Sequence, residues 1–173
     1  SHRALLGALL ERGVPDSIAA WFIRDIRGLR MRARYRAVSS EPFPMTQGVP
    51  QGTKYGPRLF SIVLHKCLQG AWEECQRRGL GLDLETGLLI PFLVYSDNIF
   101  FLAHSLSMFR AIYNIVKSAL AQFGWDLPLS RMSWLSTHPY RTNPWEGTKH
   151  QQSIKCLGTT LTDSGRSHAD VKN

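Results

Sequence analysis

The chain has 173 residues, 43% hydrophobic and 20% charged, which is enough for one modest domain with a real core and too apolar for disorder over most of its length. Its formal net charge of +8, from 21 basic and 13 acidic side chains, favours an anionic partner or surface without naming one. Cys67, Cys75 and Cys156 form no CxxC pair, so neither a disulfide scaffold nor a zinc site is suggested, and an intracellular, reducing compartment is expected, nucleus and cytoplasm both open. The longest apolar run carries Pro91 and Asp97 and makes a poor membrane span, so no membrane partner is expected. No charged leader precedes an apolar stretch with a cleavage signal, and a start at Ser1-His2-Arg3 suggests a fragment or a processed product.

In chain order, residues 4 to 10 predict a short helix closed by Glu11-Arg12-Gly13. After Val14-Pro15, Asp16 or Ser17 is expected to cap a second helix, with Ile18, Phe22 and Ile26 along one face and Gly28 at its end. From Arg30 to Val38, arginines alternate with Met31, Ala33, Tyr35 and Ala37. That period of two predicts a half-exposed strand with one cationic face. Arg24, Arg27, Arg30, Arg32, Arg34 and Arg36 make this the densest basic stretch of the chain. It reads either as a solvated strand face or as a surface for nucleic-acid phosphates. Ser39 to Pro42 turn the chain into an extended piece, Phe43-Pro44-Met45.

Residues 47 to 57 hold three glycines and two prolines, which forbid a regular element. Glycine lets main chain approach a ligand closely, and a glycine-rich loop feeding a helix can hold an anion, although this one is not a Walker loop. A plain loop-helix junction is the simpler reading. The helix is expected to begin near Pro57, to carry Leu59, Phe60, Ile62, Val63, Leu64, Cys67, Leu68 and Trp72 on a broad apolar face, and to end in the polar stretch Glu73 to Arg78. A variable link follows, punctuated by Gly79, Gly81 and Gly87.

Leu89 to Ala103 is an almost unbroken apolar run with Tyr95-Ser96-Asp97-Asn98 in its middle, and it predicts a β-hairpin. One strand is expected to end at Tyr95, Ser96 to Asn98 to make the turn, and the next strand to start at Ile99. A carboxylate is costly inside a core, and a hairpin tip holds Asp97 at the rim, where a metal or a basic partner can meet it. Asp97 and Asn98 are also simply good turn formers.

Ser105 or Ser107 is expected to cap a helix carrying Met108, Phe109, Ile112, Ile115, Val116, Leu120 and Phe123, ended by Gly124. Trp125 to Leu135 predicts a strand, a turn at Pro128 and a second strand. Ser136 to Lys149 reads as an irregular link, Ser153 to Leu161 as a strand pair around Gly158, and Thr162 to Asn173 as a polar tail that frays. The order predicts an α+β fold: an antiparallel sheet covered on one face by the two long helices.

Several stretches resemble one family, in register. Gly48-Val49-Pro50-Gln51-Gly52, followed by Gly56-Pro57 and Leu59-Phe60, resembles the Gly-x-Pro-Gln-Gly segment of reverse transcriptases. Tyr95-Ser96-Asp97-Asn98 resembles their Tyr-x-Asp-Asp catalytic turn, Leu157-Gly158 their Leu-Gly primer grip, and Gly124 to Arg131 their Gly-Leu-x-Leu-Asn-x-x-Lys segment. Ser40 to Phe43 resembles the strand-turn-strand ahead of the Gln-Gly loop in retrotransposons that lack long terminal repeats (the non-LTR type).

The resemblance implies a palm-like sheet with part of the fingers of an RNA-directed DNA polymerase, spanning 1–173. Such enzymes move a nucleotide from dNTP to a primer 3′-hydroxyl with two Mg²⁺ ions. It implies Asp97 as metal ligand and catalytic residue with Asn98 beside it. Pro50, Gln51, Gly52, Tyr95 and Arg131 would lie at the nucleotide or primer terminus, and Leu157 and Gly158 against the primer. Arg30, Arg32, Arg34 and Arg36 would lie on an RNA or DNA template-primer duplex.

Two departures weigh against catalysis by this chain. The second carboxylate of the turn is Asn98, an amide that brings no charge to offset divalent ions. Ahead of the Gln-Gly loop only Asp16 and Asp25 are available, the first after a Val-Pro turn and the second on a predicted helix, so the family's first catalytic strand is expected upstream of residue 1. Thr53-Lys54-Tyr55, Ser96 and Pro128 depart from the pattern as well, as in a decayed or divergent copy. A non-catalytic nucleic-acid-binding or scaffold palm is the alternative.

Overall fold

A computed structural model describes residues 1–85, 87–137, 148–156, 159–164 and 167–169. They fall into two compact units, Ser1–Trp125 and Asp126–Asn173. The fold is mixed α+β.

In the first unit α1 (His2–Glu11) begins under Ser1, whose hydroxyl accepts the amide of Ala4, and buries Leu5, Ala8 and Leu9. α2 (Asp16–Gly28) has Pro15 as its N-cap and no side-chain cap bond, so neither Asp16 nor Ser17 takes that role. Its buried stripe is Ala19, Ile23 and Ile26, spaced four and three apart, while Ile18 is 48% exposed. Of the expected 18-22-26 line, Ile26 is buried and Phe22 packs half-buried on the same core, while Ile18 gives way to Ala19 and Ile23. With Leu59 and Val63 these side chains form a core between the helices.

α3 (Gly56–Arg77) starts with Pro57 in its first turn and buries Leu59, Val63, Leu64, Cys67, Leu68, Ala71 and Cys75. α4 (Leu106–Gln122) is capped by Ser105, whose hydroxyl accepts the amide of Met108, and buries Ile112, Tyr113, Val116 and Leu120. The two long helices pack together, and the Cys67 thiol donates to the carbonyl of Ala119 at 3.3 Å.

The strands do not join into the single sheet that was expected. Among the described residues they make five two-stranded pieces and one three-stranded piece. Arg30 to Val38 is likewise not one strand. β1 (Arg30–Met31) pairs with β4 (Phe43–Pro44), and β2 (Arg34–Tyr35) pairs with β3 (Val38–Ser39) across a turn at Arg36-Ala37. Every residue from Arg30 to Ser40 is exposed, so there is no buried face to enforce one register. β6 (Leu89–Ile90), at the start of the run expected to form the first hairpin strand, pairs instead with β5 (Leu82–Asp83) of the glycine-punctuated link, and Pro91 separates it from the hairpin.

β7 (Phe92–Tyr95) and β8 (Asn98–Phe101) form the hairpin expected around Asp97. Its base is fixed by aromatic contacts. Phe92 meets Trp72 of α3 edge-on at 5.5 Å, and Phe101 meets Phe109 of α4 at 5.7 Å.

In the second unit the strand expected from Trp125 does not form. Leu129–Arg131 is a single 3₁₀ turn, and β9 (Ser133–Trp134) pairs in parallel with β10 (Lys149–His150). Pro128 lacks the amide that a strand ladder would use. β11 (Ser153–Cys156) and β12 (Thr159–Thr162) pair as expected, and β13 (Ser167–Ala169) adds a third strand where a frayed tail was expected. Backbone pairing to β12 outweighs the polar composition there. No helix among the described residues is long and apolar enough to cross a membrane.

Candidate functional site

The hairpin tip is tighter than the sequence suggests. Tyr95 pairs with Asn98, so the turn is Ser96-Asp97 alone and Asn98 opens the second strand. Ser96 has a φ of 56°, while Asp97 stays at negative φ. Positive φ at the first central residue only is the II′ pattern, whose twist suits a two-residue hairpin and which glycine normally fills. Tyr95, Asp97 and Asn98 are thus brought together at one exposed tip.

The Gln-Gly loop is shaped by a side chain that motif reading passed over. The Thr53 hydroxyl donates to the carbonyl of Pro50 and accepts the amide of Gly56, both at 3.1 Å. That clip closes the loop and serves the first turn of α3, whose N-cap Tyr55 makes no side-chain bond to the helix amides. Gly56 is required here: a Cβ at that position would stand 2.5 Å from the Pro50 carbonyl oxygen. Gly52 has a φ of 81°, which glycine adopts without cost. Pro50 is buried, whereas Gln51 and Gly52 are exposed.

Two further contacts hold this loop. The buried His2 ring donates through Nε2 to the carbonyl of Gly48 at 3.1 Å, and burial pushes its pKa down. Tyr55 donates its hydroxyl to Asp25 of α2, which raises the pKa of the phenol. Thr53 three residues before Gly56 was a readable local signal. The Tyr55–Asp25 bond joins residues thirty apart and had none.

Arg30, Arg32, Arg34 and Arg36 are exposed along β1, β2 and the turn after it. Arg131 sits exposed on the 3₁₀ turn of the second unit. Leu157 and Gly158 lie outside the described residues.

A two-ion Mg²⁺ centre needs several hard anionic oxygens together. At the hairpin tip Asp97 supplies one carboxylate and Asn98 a neutral amide. Among the described residues no three His, Cys, Asp or Glu side chains are grouped so as to hold a metal ion. Asp25 is bonded to Tyr55, and Asp16 begins α2. This donor set does not fit such a centre.

A search among curated proteins finds no match. Residues 1–161, nearly the whole chain, match the family described as Reverse transcriptase (RNA-dependent DNA polymerase). Loop, hairpin and family match agree in order along the chain, and the chain belongs to the reverse transcriptase family.

Proposed function

We propose that this chain is the part of a non-LTR-type RNA-directed DNA polymerase that carries the Gln-Gly loop and the catalytic turn on a palm-like scaffold with part of the fingers, and that by itself it does not polymerise. In the complete polymerase the reaction is template-directed nucleotidyl transfer from dNTP to a primer 3′-hydroxyl. Gln51 and Gly52, with Pro50 setting the loop, line the incoming nucleotide. Tyr95 packs at the primer terminus, Arg131 meets phosphate, and Leu157-Gly158 grip the primer. The setting is intracellular, in keeping with the free thiols Cys67 and Cys75.

The observation that carries this reading is the single carboxylate of the turn. Asp97 has no charged neighbour within it, and two of the acids ahead of the Gln-Gly loop are placed for other work: Glu11 bridges Lys66 at 2.5 Å and Asp25 receives Tyr55. In this reading the missing carboxylate comes from the family's first catalytic strand, upstream of residue 1. The hairpin has room for such a strand. Among the described residues β7 pairs with β8 alone. A groove of about 570 Å³ runs beside it between Leu64, Leu68 and Trp72 of α3 and Leu93 and Val94 of β7.

Primer extension on the purified chain, with Mg²⁺ and with Mn²⁺, is the test. No incorporation is expected, and Asn98→Asp alone should not create it. Processive extension that disappears in Asp97→Ala would overturn the proposal.

A second reading, a nucleic-acid-binding palm without catalysis, is favoured by the arginines. Among the described residues Arg30, Arg32, Arg34 and Arg36 make no ion pair, so their charge is open to a partner. Binding to a template-primer duplex should then be weak, indifferent to sequence and steeply salt-dependent. Replacing Arg32, Arg34 and Arg36 by Ala should weaken it about equally on every sequence, in filter binding over a salt series.

A further inference from the structure

The hairpin β2–β3 is built entirely from exposed residues, yet it is well bonded. Arg34 pairs with Ser39 and Tyr35 with Val38, and the ladder continues through the Ser40 amide to the Ala33 carbonyl at 2.9 Å. The Ser40 hydroxyl accepts the Ala33 amide at 3.0 Å and closes the base. Cross-strand partners share a face, so Tyr35 and Val38 stand side by side on one side of the tip. They are 72% and 73% exposed, the most exposed large apolar side chains described. The Arg36 guanidinium lies 5.3 Å from the Tyr35 ring centroid. Burial does not account for an aromatic ring placed here, because the ring stays 72% exposed with Arg36 beside it.

We infer that Tyr35 is a stacking platform for an unpaired base, so that the tip of β2–β3 selects single-stranded over duplex nucleic acid. The inference rests on the nucleic-acid reading of the arginines above. Two terms of different physical kind meet at this hairpin. Arg34 and Arg36 on it, with Arg32 and Arg30 just before it, offer positive charges with no ion-pair partner among the described residues, which attract phosphate of any strand and release counterions. The ring offers a flat π face, which attracts only a base that has left its own stack. In a duplex both faces of each base are already covered, so the ring gains nothing there. Arg36 within cation–π distance of the ring steadies it and adds a guanidinium plane to the platform. An acidic peptide would meet the charges and leave the ring unused.

The test uses the full chain and fluorescence anisotropy with a labelled oligothymidylate, a duplex of the same length, and polyglutamate as competitor. Tyr35→Ala should weaken oligothymidylate binding about tenfold, leave duplex binding and the salt slope unchanged, and be rescued by Tyr35→Phe. Equal affinity of Tyr35→Ala and the parent chain for oligothymidylate would overturn the inference while leaving the arginine reading intact, provided the triple arginine variant loses binding to both probes. If the triple variant binds as well as the parent, the arginine reading falls, and the platform with it. Competition by polyglutamate as effective as by unlabelled oligothymidylate would also overturn the inference, since it would make charge the whole interaction.

Discussion

The molecule contains two hairpins with nearly the same turn and opposite fates. β7–β8 turns at Ser96-Asp97 and β2–β3 at Arg36-Ala37, each with positive φ at the first turn residue only, 56° and 54°. The first stands on an aromatic base: Phe92 is 4% exposed against Trp72, and Phe101 leans on Phe109 and Tyr113. The second rests on its own ladder in solvent. The same local geometry therefore serves two purposes. Anchored on α3 and α4, the turn places one residue, Asp97, in a defined position. Left unanchored, it spreads charge and an aromatic ring over a surface. Rigidity here comes from what the strands pack on and not from the turn.

The largest test of that difference is truncation of the anchor. Phe92→Ala removes a buried ring in edge contact with Trp72, and a loss of about 3–5 kcal/mol is expected from lost transfer energy and the cavity left behind. Val38→Ala, on the exposed hairpin, should stay within about 0.5 kcal/mol. Urea denaturation midpoints measure both. Similar losses in the two variants would abolish the distinction.

A smaller effect is expected from the two buried thiols of α3, Cys67 bonded to Ala119 of α4. Burial pushes both Cys67 and Cys75 up to about 11, from an ordinary value of 9.0. The sign follows from which state ionises first. As pH rises past 9 the unfolded thiols lose protons while the folded ones keep theirs. Their contribution is therefore complete below about pH 9 and is lost as pH approaches 11. The parent chain should lose more stability over that interval than the Cys67→Ala/Cys75→Ala variant. Parallel pH profiles for parent and variant would remove the thiols from the account.

What was legible follows the same division. The β7–β8 hairpin could be read because an apolar run broken by one polar cluster has few other solutions. α3 and α4 could be read from three- and four-residue spacing with Pro57 and Ser105 at their starts. The arginine stretch misled. Alternation predicts a strand, but it does not say where the strand finds a partner, and no Gly, Asn or Pro marks the turn at Arg36-Ala37. β5–β6 was hidden beside glycines, and β13 in a polar tail, although their partners lie only six to ten residues away, because neither strand carries the apolar alternation that marks a half-buried one. At the site, Asp97 and Gln51-Gly52 were visible as motifs. The bonds shaping the loop, from His2 to Gly48 and from Tyr55 to Asp25, span dozens of residues and leave no local trace.

The smallest effect asks whether the two turns are energetically joined to the fold. A non-glycine residue at positive φ is strained by about 1–2 kcal/mol, and glycine relieves that at the expense of added freedom in the unfolded chain. The net gain from Ser96→Gly should be at most about 1 kcal/mol. It should raise the global unfolding midpoint, because β7–β8 opens only when its aromatic base comes apart from α3 and α4. Arg36→Gly relieves the same kind of strain in a hairpin that opens without disturbing the core. Its gain should therefore appear as slower amide exchange at Ser40, whose amide bonds Ala33, with no shift of the midpoint beyond about 0.3 kcal/mol. Equal midpoint shifts would mean that β2–β3 is coupled to the core after all, and its freely presented tip would need another explanation. A null result for Ser96→Gly, with Arg36→Gly slowing exchange, would place the Asp97 turn outside the cooperative unit as well.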